Sequence, residues 1–435
     1  MKRFLLWLLG VVLGVAIFLG AVVGFSWWTA GKEDLPDASG VSFAEVPLET
    51  NGYCWQVPLL GALADRVLAE SNTLSVQKLG TVTDAHPALV LPDWADPSQI
   101  VLTLRDEASG QVVFSGSGTE YTDFHYQHNG DYTTEMQLWR LPAGMTKDQL
   151  AKPTDKLAKN PGLEQPARPA GWYGYRFAFT LQATPKVQLS AEKIRQGDIL
   201  AVTVTGLLGN EPPVLTSELG SVQFQPMDGG WVGYLGAAYN ADAKKHTITV
   251  ALGEVQTQVE LRVLERNFGK RDALPEEPSP EGADAEYRNK IWPLYTAPSG
   301  PRQWVTAWDK PVQNASVLME YGAYQMKDGQ QGRKSNSTVY ATIPGTEVVT
   351  PTAGTVVFAG PLLLTGNTVV IDHGCGVRSY LFGLADISVS KGNELAANNP
   401  VGTAAETLTL DVKVGKKSID PEQLFRGEGG LFAVR

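Results

Sequence analysis

The sequence predicts a mainly β protein that begins with one transmembrane helix. Two observations carry this prediction. An apolar run from Phe4 to Trp28 contains no charge and no proline, and about 20 such residues are enough to cross a bilayer as a helix. Most of the remaining chain consists of short runs in which apolar and polar residues alternate, separated by Gly, Asp, Asn and Pro. That pattern is typical of half-buried antiparallel strands.

The apolar run is predicted to be an uncleaved anchor. A cleaved signal peptide has a shorter apolar region, of about 7–15 residues, and ends in small residues, whereas Trp27 and Trp28 close this run. Lys2 and Arg3 precede the run and Asp34 follows it. The positive-inside rule then places the N-terminus in the cytoplasm. We therefore expect a single-pass protein of the cell membrane, with the bulk of the chain extracytoplasmic.

Composition excludes some classes of partner. The formal net charge is -10 and the isoelectric point is near 5.1, which argues against nucleic acid, because phosphate neutralisation needs clustered Lys and Arg. The same balance argues against simple electrostatic adhesion to anionic lipids or anionic wall polymers. Any contact with the cell wall must therefore come from a shaped site.

The chain has two cysteines, Cys54 and Cys375, in segments that we assign to different domains. A disulfide between them would need those domains to dock closely. Neither cysteine lies in a CxxC motif or beside an obvious histidine partner. We therefore interpret them as two buried or idle thiols.

Strand patterns and linker composition divide the chain into six segments. Alternation at Leu200, Val202 and Val204 and again along 255–263 predicts a small Ig-like sandwich of about 80 residues. A Pro-rich acidic stretch at 272–284 has the composition of a linker. The predicted segments are a signal-anchor helix (1–31), a tether (32–45), a β-rich sandwich-like domain (46–184), an Ig-like β-sandwich (185–265), an acidic Pro-rich linker (266–289) and a C-terminal antiparallel β domain (290–435).

The C-terminal domain carries the clearest strand pattern. In a strand, successive side chains point to opposite faces. Two sets of side chains are therefore expected on opposite faces of one strand pair: Leu408, Leu410, Val412 and Val414 on one face, and Thr407, Thr409, Asp411 and Lys413 on the other.

Several segments of this domain resemble the M23 (LytM-type) peptidoglycan metallopeptidases. The resemblance runs from about Trp304 to Phe425 and depends on the order and spacing of Pro344-Gly-Thr346, Pro351–Gly360, Gly366–Gly374, Ile387–Gly392 and Ile419–Pro421. It implies that residues 290–435 have the antiparallel β fold of that family. The preceding Ig-like unit is similar to domains that often stand before M23 modules.

The resemblance also implies where a metal site would lie. Active members of the family bind zinc through the His and Asp of an HxGxD motif and the second His of an HxH strand. The first His of that strand and another on a neighbouring strand assist the attacking water. Carried over position by position, the zinc positions hold Asn336, Tyr340 and Thr409, and the assisting positions hold Gly383 and Thr407.

None of these five residues suits the chemistry of the family. Zinc takes imidazole nitrogen, thiolate or carboxylate, and neither glycine nor a threonine hydroxyl transfers protons near neutral pH. The resemblance therefore implies a degenerate M23 domain that has lost the family zinc, without catalytic residue or cofactor, that is, a pseudoenzyme. Asn336, Tyr340, Gly383, Thr407 and Thr409 would then line a groove for a partner or peptide.

The resulting hypothesis is a non-catalytic cell-envelope protein that regulates or scaffolds the machinery of peptidoglycan remodelling. Its partner would be an envelope protein such as a wall hydrolase, or a peptidoglycan peptide. Two alternatives stay open: a peptidoglycan-binding module without a protein partner, and an active M23 metalloendopeptidase with an unrecognised metal site.

The five histidines add no second metal site at this stage. His373 lies in an Asp-His-Gly turn, where we expect a structural role. His125 and His128 are three residues apart, which puts them on opposite faces of a strand. His86 and His246 have no informative neighbours.

Overall fold

A computed structural model describes residues 2–34, 36–61, 63–72, 75–150, 168–227, 229–252, 255–275 and 278–433. The chain forms two compact units, Met1–Thr184 and Pro185–Arg435. Residues 151–167, within the predicted sandwich-like domain, and residues 276–277, within the predicted linker, lie outside the described residues. The prediction of a mainly β protein with an N-terminal helix is confirmed.

The first unit consists of one long helix and two sheets. Its elements are α1 (Lys2–Ala30), β1 (Ser42–Phe43), β2 (Val46–Pro47), β3 (Gly52–Leu59), β4 (Ala64–Asn72), β5 (Gln77–Val82), β6 (Leu89–Val90), a 3₁₀ turn (Pro97–Gln99), β7 (Ile100–Asp106), β8 (Val112–Gly116), α2 (Gly118–Tyr121), β9 (Gly130–Arg140) and β10 (Ala170–Leu181). The strand order is β2-β1-β6 in the small sheet and β4-β3-β10-β9-β7-β8 in the large sheet, where β5 also pairs with β10.

Aromatic side chains fill the space between these two sheets. Tyr173, Tyr175, Phe177 and Phe179 alternate along β10 and are buried. The ring of Phe43, on the small sheet, lies 4.9 Å from the rings of both Phe177 and Phe179. The alternating aromatic pattern in the sequence therefore marks the core face of β10, as half-buried strands require.

Helix α1 is, within the described part of the chain, the one helix long and apolar enough to cross a membrane. Its 29 residues carry charge only at Lys2 and Arg3, and its apolar side chains are exposed. Exposed leucine and phenylalanine on every side of a helix are typical of a segment whose solvent is lipid. By length and composition the helix fits either a membrane anchor or a signal sequence.

The second unit holds the remaining strands. They are β11 (Lys186–Leu189), β12 (Lys193–Arg195), β13 (Ile199–Thr205), β14 (Val214–Thr216), β15 (Gln225–Met227), β16 (Gly230–Gly236), β17 (Lys245–Leu252), β18 (Val255–Leu264), β19 (Lys270–Asp272), β20 (Ser316–Met319), β21 (Tyr324–Lys327), β22 (Gln330–Lys334), β23 (Thr338–Ala341), β24 (Glu347–Val349), β25 (Gly354–Leu362), β26 (Gly366–Asp372), β27 (Val377–Ile387), β28 (Glu394–Leu395), β29 (Pro400–Val414) and β30 (Lys417–Ile419). Its helices are α3 (Ala283–Lys290), α4 (Glu422–Phe425) and the 3₁₀ turns Trp292–Tyr295 and Gly430–Phe432.

Four sheets make up this unit. Two four-stranded sheets, β11-β13-β16-β15 and β12-β18-β17-β14, enclose a core of aliphatic side chains, among them Leu200, Val202, Ile248 and Val263. The C-terminal sheet has the order β20-β23-β29-β27-β26-β25-β28, with β24 and β30 also paired to β29, and β19-β21-β22 forms a small sheet. The strand patterns at 200–204 and 255–263 thus mark strands of two facing sheets; their Ig-like topology stays a prediction.

The sandwich and the C-terminal sheet share one hydrophobic core. Side chains on the outer face of β13 and β16, including Ile199 and Tyr234, belong to the same buried cluster as Trp304 and the C-terminal strands. The Tyr234 and Trp304 rings lie 5.3 Å apart. A sheet buried on both faces needs apolar residues at consecutive positions, which explains the unbroken run Ile199-Leu-Ala-Val202.

The described parts of the segment predicted as a linker, 266–275 and 278–289, contact the rest of this unit. Strand β19 pairs with β21, and helix α3 begins at Ala283. Arg266 donates a hydrogen bond to the carboxylate of Asp420 at 2.6 Å. Pro and acidic residues indicated exposed backbone, but composition gave no sign of these long-range partners. The exact domain boundaries stay a prediction.

Cys375 forms no disulfide. Cys375 is buried, and burial raises the pKa of its thiol to about 11. A thiol that stays protonated at neutral pH is a poor nucleophile and a poor metal ligand. The interpretation of Cys375 as an idle thiol agrees with this environment.

His373 stabilises the turn between β26 and β27 through hydrogen bonds at both of its ring nitrogens. Its Nδ1 lies 2.8 Å from the Ala353 carbonyl oxygen and its Nε2 lies 2.8 Å from Oγ of Ser379. A carbonyl can only accept, so Nδ1 carries the proton and Nε2 accepts from the serine. The ring is fully enclosed, and this burial lowers its pKa to about 4.

This histidine predicts a loss of stability on acidification. The folded protein keeps the ring neutral down to about pH 4, whereas the unfolded chain takes up a proton near pH 6.5. Between these values the unfolded chain binds more protons than the folded protein. We therefore expect the contribution of His373 to the free energy of unfolding to fall by up to about 1.4 kcal/mol for each unit by which the pH is lowered. Urea titrations of the wild type and His373→Gln across pH 4–7 measure this. Equal slopes in both proteins would contradict the assignment.

Candidate functional site

The register between β23 and β29 decides which side chains can meet at the predicted site. Val339 is the direct partner of Thr409, and Tyr340 is the direct partner of Leu408. Residues directly opposite each other in an antiparallel pair share a face of the sheet. Val339 and Thr409 therefore lie on one face, and Tyr340 lies on the other.

Tyr340 consequently does not line the predicted groove, and that part of the prediction is wrong. Its side chain is fully buried in the core of the second unit, beside Leu408 and Leu410. Burial raises the pKa of its hydroxyl well above the usual range, and no described residue hydrogen-bonds to it. A tyrosine in this position is a packing residue.

Asn336 and Thr409 do meet, at a pocket on the opposite face of β23. The cavity has a volume of about 390 Å³. Its described walls come from β20, β21, β22, the segment that follows β22, β23, β29 and two more distant segments. They are formed by Tyr239, Leu274, Met319, Gln325, Arg333, Lys334, Ser335, Asn336, Ser337, Val339 and Thr409.

Thr407 and Gly383 lie together beside this pocket rather than among the residues that line it. Phe382 pairs with Thr409, whereas Leu384 pairs with Ala404, so a bulge separates the two pairings at Gly383. The φ of Gly383 is 76°, a left-handed value, and a Cβ there would lie 3.3 Å from the carbonyl oxygen of Thr407. The glycine is thus favoured by the bulge itself.

Comparison with known proteins assigns this part of the chain. Residues 333–421 match the model of peptidase family M23. The C-terminal domain belongs to this family. An uncharacterized protein of Neisseria meningitidis serogroup B is 35% identical over 94 residues, which are 20% of this chain and 15% of that protein. The chain therefore matches only a small part of the length of that relative.

Two solved structures are among those similar to the chain. A crystal structure of an M23 peptidase candidate from Pseudomonas aeruginosa is 19% identical, covers 50% of this chain and 88% of its own, and has a TM-score of 0.39. The catalytic domain of the antimicrobial peptidase lysostaphin from Staphylococcus simulans is 20% identical, covers 26% of this chain and 93% of its own, and has a TM-score of 0.24. The family assignment rests on the family model.

The strand register moves the family's metal positions by one residue. A ligand on β23 must share a face with Thr409 to reach the same ion, and Val339 does so whereas Tyr340 does not. The motif places its histidine four residues before its aspartate, which makes Ser335 the corresponding position. Ser335, Val339 and Thr409 all line the pocket, so these three replace the earlier set of Asn336, Tyr340 and Thr409.

This donor set does not fit zinc. A serine hydroxyl, a valine and a threonine hydroxyl offer neither imidazole nor an anionic ligand, and structural or catalytic zinc needs at least three such groups. Within the described residues, no group of three or more His, Cys, Asp or Glu is placed to hold a metal ion.

The charge of the pocket is the reverse of that of a metal site. Arg333 and Lys334 contribute to its lining, and none of the described lining residues is acidic. The Nζ of Lys334 lies 4.6 Å from the ring of Phe268 and 4.8 Å from the ring of Tyr324. Aromatic faces hold a cation in place without neutralising it. The pocket therefore favours an anionic group.

On the side toward Asp411, this face of the sheet is covered by the chain itself. Phe382 shares the face of Thr409, and Tyr380 shares the face of Asp411. Both aromatic side chains pack against Ile291, which follows α3 and is fully buried. The open part of the face therefore lies at the pocket around Thr409 and at the exposed Thr407 beside it.

A buried ion pair lies beneath this cover. Lys413 contacts Asp411 at 2.9 Å, with side-chain exposures of 7% and 4%. Burial by itself would lower the pKa of Lys413, but Asp411 and the nearby Tyr295 ring hydroxyl outweigh it and raise the pKa. The two opposite charges offset each other in this buried setting, and Lys413 also donates a hydrogen bond to Oγ of Ser418 at 2.7 Å. The polar residues along 407–413 are therefore not all available to a ligand.

Several pocket residues had no signal in the sequence. Tyr239 comes from the sandwich and Leu274 from the predicted linker, and long-range neighbours of this kind need the tertiary structure. Val339 and Tyr340 are both apolar enough for the core, so periodicity alone could not tell which of them faces outward.

Substitution of Tyr340 tests its placement in the core. An unpaired buried hydroxyl costs about 1–3 kcal/mol, so Tyr340→Phe should leave the free energy of unfolding unchanged or raise it by about 1 kcal/mol. Tyr340→Ala should lower it by about 3–5 kcal/mol because it opens a cavity. Urea unfolding followed by tryptophan fluorescence measures both. A negligible effect of Tyr340→Ala would place the ring at the surface.

The register predicts where a zinc site can be restored. We expect the triple variant Ser335→His, Val339→Asp, Thr409→His to bind one zinc ion per chain, because its three ligands face one pocket. The matched variant carries Tyr340→Asp in place of Val339→Asp and should bind none. Equilibrium dialysis with metal analysis measures the difference. Zinc bound equally by both variants would refute the register argument.

Proposed function

We propose that this chain is a non-catalytic, membrane-anchored protein of the cell envelope, in which the M23 domain recognises a partner and thereby regulates or scaffolds peptidoglycan remodelling. The observation that supports this proposal is the pocket of about 390 Å³ at the family's metal positions, where Ser335, Val339 and Thr409 stand in place of ligands. A pocket that keeps its shape but lacks metal ligands can bind without cutting.

The residues at the family's positions provide neither metal ligands nor a proton-transfer group for hydrolysis. Metallopeptidases activate water by lowering its pKa on a bound metal, to about 7 in favourable cases. Thr409 and Ser335 have hydroxyls that stay neutral, and Val339 has no polar atom. A proton carrier is also missing, because Gly383 and Thr407 occupy the assisting positions. We derive no catalytic step from this set.

The lining indicates what the pocket would hold. Lys334 supplies a positive charge, Gln325 and Asn336 supply amide donors and acceptors, and Met319 and Leu274 supply apolar walls. Such a mixture suits an extended peptide segment with a carboxylate, since a cation and amide groups fix the charged end while apolar walls contact the chain. The proposed ligand is therefore an acidic segment of an envelope protein.

The proposed anchor is α1, with the M23 domain outside the cytoplasm. Lys2 and Arg3 at the start of α1 support a cytoplasmic N-terminus by the positive-inside rule. If the helix stays uncleaved, the pocket is confined to the space near the membrane surface. Confinement raises the effective concentration of partners in the same envelope layer.

Site-specific crosslinking tests the role of the pocket. A photoreactive amino acid at Asn336 should crosslink to one envelope protein in native cells, and Thr409→Arg should abolish that product because its side chain fills the pocket. The control Thr306→Arg adds the same charge at an exposed site elsewhere in the unit and should leave the product intact. Equal crosslinking in both variants would remove the pocket from the proposal, and muropeptide cleavage by the purified protein would overturn it.

A peptidoglycan peptide is the second candidate ligand. The same cationic pocket favours it, since the carboxylates of wall peptides are anions of the required kind. Co-sedimentation with purified sacculi separates the two candidates. Binding that is lost in Thr409→Arg and retained in Thr306→Arg would favour the wall peptide over a protein segment.

A further inference from the structure

The tip of the β3–β4 hairpin lies against the C-terminal end of α1. The backbone N–H of Leu60 donates a hydrogen bond to Oγ of Ser26 at 3.1 Å. Leu60 and Ala64 also pack in a small apolar cluster with Ala30 of the helix. These contacts fix the depth of the hairpin tip relative to the helix.

Arg66 ties the same hairpin to the helix end. Its Nη1 donates to the carbonyl oxygen of Trp27 at 2.6 Å, and its guanidinium lies 4.5 Å from the centre of the Trp27 ring. The Trp27 carbonyl oxygen also accepts a hydrogen bond from the backbone N–H of Gly31 at 3.2 Å, so the arginine adds a second hydrogen bond at the helix end. A Cβ at Gly31 would lie 2.5 Å from Nη1 of Arg66, which shows how closely the side chain fits.

The length of α1 sets where this contact falls in a membrane. Its 29 residues span about 43 Å at roughly 1.5 Å per residue, and a hydrocarbon core is about 30 Å thick. If the excess length of the helix is shared equally between its two ends, about four residues at each end extend beyond the hydrocarbon. Ser26 is four residues before Ala30 and therefore lies at the outer edge of the hydrocarbon, with Trp27 and Trp28 at the interface.

Leu63, at the hairpin tip, has no protein cover. Its side chain is 69% exposed although it lies between Leu60 and Ala64, which contact the helix. An exposed leucine at the depth of a bilayer edge is covered by lipid. Lys32, whose Nζ lies 3.5 Å from the Trp28 ring, and Arg66 add positive charge at the level of the headgroups.

We propose that the β3–β4 hairpin tip is a second membrane contact, which inserts Leu63 into the outer leaflet beside α1. This inference rests on the proposed anchor. Two attachment points, the helix and the hairpin, would hold the large sheet of the first unit in one orientation on the bilayer. The ligand of this surface is a phospholipid leaflet, and anionic headgroups are favoured by Arg66 and Lys32.

The same sheet offers a matched control at its other end. Gln56, near the hairpin tip, pairs with Ala170 of β10. Ala178, further along β10, pairs with Thr133; Thr133 pairs with Arg105, and Arg105 pairs with Val112. Val112 therefore lies eight residues of β10 further along the sheet than Gln56, which is roughly 26 Å at about 3.3 Å per residue. It is 47% exposed, so a probe there reports on an exposed valine far from the helix end.

Depth-dependent fluorescence quenching tests the proposal. The full chain, with Cys54→Ser and Cys375→Ser, is labelled with an environment-sensitive fluorophore at Leu63→Cys, Val112→Cys or Phe18→Cys. Each protein is reconstituted into phosphatidylcholine–phosphatidylglycerol vesicles that contain nitroxide lipids. We expect blue-shifted emission at positions 18 and 63, with quenching several-fold greater than at position 112.

Two results would overturn the inference, and they differ. If position 18 is quenched while positions 63 and 112 both respond as in water, the helix spans the bilayer but the hairpin does not enter it. If position 18 also responds as in water, the anchor itself is refuted, and with it the membrane part of the proposed function.

Discussion

The pairing of β23 with β29 is the constraint on which the candidate site depends. Because Val339 faces Thr409 across this pair, one face of the strands opens into a pocket and the other closes into the core. A shift of one residue would exchange these two faces completely. The identity of the side chains at the family's metal positions follows from that register, and so does the conclusion that they do not suit zinc.

The same face of the sheet has a divided role along its length. Near Thr409 it is open and lined by neutral and basic residues, whereas further along it is closed over the Asp411–Lys413 pair. Removing one partner of a buried ion pair commonly costs about 3–5 kcal/mol. The covered half therefore stabilises the sheet, and the ligand that we propose would contact the uncovered half.

Sequence reasoning predicted the strands of the C-terminal domain and its family well, because the alternation of Leu408 and Leu410 with threonines is a local signal. It placed Tyr340 wrongly for a physical reason: Val339 and Tyr340 are adjacent, both suit a strand, and only the partner strand decides which one faces inward. It also read 266–289 as a free linker, since proline and acidic residues report on local backbone and not on the distant partner of Arg266. Asn336 and Thr409 both line the pocket, but Tyr239 could not have been placed there without the tertiary fold.

The shared core of the second unit carries a consequence for how this protein can be divided. The outer face of the sandwich, with Ile199 and Tyr234, is buried only because Trp304 and its neighbours cover it. A shortened chain that began at residue 290 would expose that tryptophan to water, and an isolated sandwich would expose the tyrosine. Each part therefore depends on the other to keep its apolar surface out of water. Either part, transferred alone into another protein, would need polar substitutions on the surface that becomes exposed.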